Sequence, residues 1–113
     1  DMSVKYIQTG DAVDYTPGAN VRAGDVVVQG ELLGVAKLDI QTGKLGALAV
    51  TGLFDFPKAT GAGTAIATGT RVYWDVAEQV AKADSEAGAN KEIGKTVKAA
   101  ADADALVRAR LTQ

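Results

Sequence analysis

Residues 23–58 read AGDVVVQGELLGVAKLDIQTGKLGALAVTGLFDFPK, a series of short aliphatic and β-branched runs cut by Gly24, Gly30, Gly34, Gly43, Gly46 and Gly52. Glycine weakens regular structure from within but reaches positive φ at no steric cost. Punctuation at this spacing therefore marks tight turns, bulges and kinks between short strands. The pattern predicts an all-β domain: a small β-barrel or sandwich, jelly-roll-like or β-tulip-like, spanning residues 1–113 as one unit.

Chemistry is restricted by what is missing. The chain has no histidine and no cysteine. It therefore lacks the side chain that titrates near neutral pH, the thiol nucleophile and most zinc ligands. No catalytic residue, metal ligand or cofactor site is expected. The hydrophobic share of 47% supports a core, but 5% aromatics and 21 alanines make it a thin one. Small side chains bury little area each, so association with a partner is the simplest way to add more. The net charge of −2 comes from 12 basic and 14 acidic residues spread along the chain. No basic patch of the kind phosphate neutralisation demands is visible, which argues against nucleic acid. Arg108 and Arg110, the densest basic pair, read as a solvated strand face. No apolar run is long enough for a membrane span.

Strands are expected at residues 3–8, 12–15, 25–29, 32–38, 45–51 and 53–56, with Pro57 closing the series. Residues 59–69 form a loop in which 64–68 can pair at an edge. Residues 70–75, TRVYWD, have the highest β-propensity, with Val72 and Trp74 on one face and Arg71 and Tyr73 on the other. Residues 76–84 fit either a short helix or a hairpin return, and the hairpin is preferred. A polar loop at 85–90 and a strand at 93–99 follow. Alanine content alone would make 98–105 helical. The clean alternation of 106–111, with Val107, Ala109 and Leu111 inward, argues instead for a turn at 100–104 between two final strands.

Apparent motifs do not survive inspection. Gly94-Lys95-Thr96 resembles the end of a phosphate-binding loop, but the required first glycine falls on Ala89, with Gly88 one position too far away. Gly61-Ala62-Gly63 begins a dinucleotide fingerprint whose third glycine is Ile66. Asp39, Asp55, Asp75 and Glu78 are the only candidates for acid–base work, and no spacing forces them together. Tyr73 and Trp74 offer one aromatic pair for stacking on sugars, the basis of an alternative reading as a carbohydrate-binding or adhesion module.

Collinear pieces of the chain resemble a small phage family. They are Tyr6-Ile7-Gln8-Thr9-Gly10-Asp11, Ala23-Gly24-Asp25-Val26-Val27, Gly34-Val35-Ala36, Gly52-Leu53-Phe54 running to Pro57-Lys58, Gly69 with Val72-Tyr73-Trp74-Asp75, Asn90 with Ile93-Gly94, and Val107-Arg108-Ala109-Arg110-Leu111. The family is that of capsid cement, or decoration, proteins, often mislabelled as RecA/RadA-like recombinases. The resemblance implies a non-enzymatic protein on the outer surface of the virion capsid. It would bind the major capsid protein and form a homo-oligomer, a trimer in preference to a dimer. Within residues 1–15, a terminal arm is expected to dock through Val4, Lys5, Tyr6, Ile7 and Gln8, adding a strand to a neighbour's sheet edge. The competing expectation is that this strand pairs within its own barrel.

Overall fold

A computed structural model describes Val4, Lys5 and residues 10–113. The expected strand at 3–8 lies largely outside the described residues; Val4 and Lys5 are exposed and belong to no strand. Nine strands follow: β1 (Ala12–Tyr15), β2 (Val26–Gln29), β3 (Leu32–Val35), β4 (Gly46–Ala49), β5 (Gly52–Pro57), β6 (Arg71–Asp75), β7 (Val80–Lys82), β8 (Lys91–Thr96) and β9 (Leu106–Leu111). Residues 76–84 form the preferred hairpin. The alanine-rich stretch before β9 is not helical, and the loop before β8 holds a single 3-10 turn, Glu86–Gly88.

These strands make two antiparallel sheets, ordered β1-β4-β3-β2 and β5-β9-β8-β6-β7. Each sheet is a contiguous piece of chain, and only Val50-Thr51 connects them. The expected all-β domain is thus found, as two packed antiparallel sheets. At the corner Gly52 turns the chain with φ +130°, and β5 starts a new sheet by pairing with β9 rather than continuing beside β4. Residues 12–15 are part of the first sheet, in register with β4 from Ala12↔Ala49 to Tyr15↔Gly46.

The main core lies between the sheets. Val26, Val28, Leu33 and Val35 face Phe56, Val72, Trp74, Ile93, Val107, Ala109 and Leu111. Phe56 sits 6.1 Å from Phe54 and 6.3 Å from Trp74, ring centre to ring centre, in edge and tilted arrangements that aromatic quadrupoles favour. The far side of the first sheet holds a smaller core of Ala36, Ile40 and Leu48, flanked by Val13, Tyr15, Val21 and Val27.

Two of the punctuating glycines are not turn residues. Gly34 and Gly46 lie inside strands, where a Cβ would come within 2.7 Å of Leu48 Cβ and 2.6 Å of Ile40 Cδ1 respectively. Glycine is used there for close packing. Gly94 is the extreme case. It follows a bulge at Ile93, created where β6 and β8 shift register between Val72 and Tyr73. A Cβ on Gly94 would lie 2.0 Å from the Arg110 carbonyl oxygen.

Candidate interaction surfaces

The groups suspected of chemistry are used to hold the fold together. Asp75 and Glu78 do meet, but around the ammonium of Lys82, which lies 3.0 Å from Asp75 and 3.7 Å from Glu86 and also contacts Glu78. The Glu78 amide donates to Asp75 Oδ1 at 3.0 Å. That amide first, and Lys82 second, lower the Asp75 pKa to about 2, while Glu78 and Asp75 raise that of Lys82. A carboxyl held ionised by its partners is the opposite of a poised general acid. Asp55 accepts two bonds from Arg108, at 2.9 and 3.2 Å, which lower its pKa. Asp39 accepts the Ala23 amide at 2.8 Å and so ties two loops together. The four carboxylates do not converge.

The remaining motifs resolve in the same way. Gly94-Lys95-Thr96 lies in β8, with Lys95 exposed and the Thr96 hydroxyl buried between the Thr70 amide and the Ala67 carbonyl. Backbone amides in a strand ladder cannot curl round a phosphate. Trp74 is 3% exposed and Tyr73 points to the opposite face, so the pair forms no sugar-stacking platform. Among the described residues, no group of three His, Cys, Asp or Glu side chains is placed to hold a metal ion.

One polar centre was not foreseen. Lys58 is 5% exposed, and its ammonium donates to the carbonyls of Ala59 and Asp104 and to Thr64 Oγ1 at 2.7, 3.0 and 3.2 Å. It pins residues 59–66 to the turn before β9, where Asp102 Oδ1 also accepts the amides of Thr64 and Ala65. Pro57-Lys58 looked like a strand end, and nothing local showed that the lysine turns inward.

Two surfaces remain available for contact. The first is a groove of about 440 Å³ between the first sheet and the loop before β4, walled by Ala12, Leu38, Leu45, Ala47 and Ala49. Leu38 and Leu45 are 77% and 71% exposed. The second is the outer face of the five-stranded sheet. Leu53, Asp55 and Pro57 of β5 lie beside Arg110, Arg108 and Leu106 of β9. Lys95 continues the row next to Arg110, Val97 donates its amide to the Arg108 carbonyl, and Arg71 of β6 follows opposite Lys95. Of the expected docking residues, Val4 is fully exposed and Lys5 exposed, while Tyr6, Ile7 and Gln8 lie outside the described residues.

Residues 7–111 match the family described as phage cement protein. No curated protein and no solved structure matches the chain.

Proposed function

The chain belongs to the phage cement protein family, and from that premise we propose that it coats the outer surface of the mature head and bridges major capsid protein subunits. The observation that supports this reading is the extent of the family match, which takes in every strand of both sheets. A protein that binds the expanded lattice and not its precursor stabilises the expanded state by mass action. Contact with several lattice subunits at once then amplifies weak individual contacts. The family is structural, in keeping with a non-enzymatic role.

Self-association belongs to the same proposal. The thin second core and the exposed Leu38 and Leu45 favour a symmetric homo-oligomer; the preference for a trimer over a dimer comes from the family resemblance alone. The arm containing Val4, Lys5, Tyr6, Ile7 and Gln8 supplies a further docking element. The test uses cement-free heads built from the major capsid protein encoded in the same phage genome. Saturable binding to expanded heads, with a higher rupture temperature, is expected. Equal binding to unexpanded shells, or no change in rupture temperature, defeats the proposal.

A further inference from the structure

The outer face of the five-stranded sheet carries an arrangement that a free protein has no reason to keep. Arg71, Lys95 and Arg110 sit directly opposite one another on β6, β8 and β9. Side chains so paired have Cβ atoms about 4.5–5.5 Å apart, and like charges at that spacing destabilise a sheet. Relief is partial. Arg71 has Glu92 at 3.7 Å, in a solvent-exposed pair, whereas the Lys95 and Arg110 side chains have no hydrogen-bond or ion-pair partner among the described residues. Protection of a sheet edge does not explain the charges, because β8 and β9 are interior strands with both edges paired. Solubility does not either, since interspersed signs would serve it at no cost, and the chain as a whole is acidic.

Apolar side chains flank the row. Leu53 is next to Arg110 in the same register line, and Leu106 and Val97 lie along the same face; they are 59%, 53% and 42% exposed. Arginine is among the residues enriched at protein interfaces, and here it stands among exposed aliphatic side chains. We infer that this face docks on an acidic patch of the capsid lattice: carboxylates of the shell neutralise Lys95 and Arg110, and Leu53, Val97 and Leu106 are buried against it. The inference rests on the cement reading. A two-fold contact with a second copy through this patch would set cation against cation. Duplex DNA is a poor occupant, because a row of three cations provides few of the phosphate contacts that hold a protein at physiological salt.

The test replaces the two unpaired cations by a residue with high strand propensity, Lys95→Thr with Arg110→Thr, and compares it with the reversal Lys95→Glu with Arg110→Glu. Binding to cement-free expanded heads is measured from 50 to 300 mM salt, beside melting of the free protein. The neutral pair should melt at the same or a higher temperature while binding about tenfold more weakly with a flatter salt dependence; the reversed pair should lose about a hundredfold. Wild-type affinity and salt dependence in both variants would overturn the docking face while leaving the cement reading intact. Absence of binding by the wild-type protein would overturn both. A change in the oligomeric state of the free variants with unaltered head binding would assign the face to self-association. Tight binding of a 30-base-pair duplex at 150 mM salt, abolished in the variants, would assign it to nucleic acid. Either result refutes the inference.

Discussion

The five-stranded and four-stranded sheets are both antiparallel but are held very differently. Twelve residues are buried in the core that the larger sheet shares with β2 and β3, including Phe56 and Trp74. The opposite face of the smaller sheet rests on three, Ala36, Ile40 and Leu48. The ionic groups follow the same division. Among the described residues, Asp55, Asp75, Lys82 and Arg108, whose pKa values move, all lie on the larger sheet. The larger sheet supplies the stability of the subunit. The smaller one, with its exposed leucines, gains most from a neighbour.

The sharpest probe of this difference is a pair of glycines. Gly94→Ala drives a Cβ into the Arg110 carbonyl at a backbone angle, φ +151°, that side chains rarely adopt. It should cost more than about 4 kcal/mol and leave little folded protein. Gly46→Ala meets the flexible Ile40 side chain first and should cost about 1–3 kcal/mol. Chemical denaturation measures both, and equal losses would break the comparison. Core truncation comes next. Phe56→Ala should cost about 3–5 kcal/mol and Leu48→Ala about 2–3 kcal/mol. Hydrogen exchange should likewise find β8 and β9 protected longest and β1 and β4 first to open.

Lys58→Met tests whether the five-stranded sheet also depends on a buried cation. Removing the ammonium leaves the carbonyls of Ala59 and Asp104 without their donor, at about 1–3 kcal/mol. A variant as stable as wild type would show that this lysine is dispensable. The pH profile gives a smaller effect. Asp75 binds its proton less readily folded than unfolded, so its contribution is present above the ordinary value of 3.8 and is lost as pH falls toward 2. Lys82 is raised, so its contribution is complete below 10.5 and is lost at still higher pH. Melting temperature should be flat between these limits and fall below pH 4, with a shallower fall in Asp75→Asn. The smallest expected effect is removal of residues 1–8, with a stability change within about 0.5 kcal/mol and weaker binding to heads. A large loss of melting temperature would place the segment in the fold instead.

Strand positions and strand faces were legible in the sequence because both are local. Alternation along 106–111 assigned Val107, Ala109 and Leu111 to the interior, and alternation along 70–75 put Val72 and Trp74 on one shared face; all five are buried. The glycine cuts marked most of the turns. Neighbour relations were not legible. Arg71, Lys95 and Arg110 are far apart in the chain and become one row only through the order β9-β8-β6. Lys58 becomes buried only because two loops close over it. The two-sheet division turns on which partner β5 takes after Gly52, a choice between β4 and β9 that neither strand's own pattern encodes. A strand's period of two depends on covalent geometry, which every short stretch carries with it. Register and pairing depend on the free energy of burying one face against another, a quantity that exists only once the whole chain has come together.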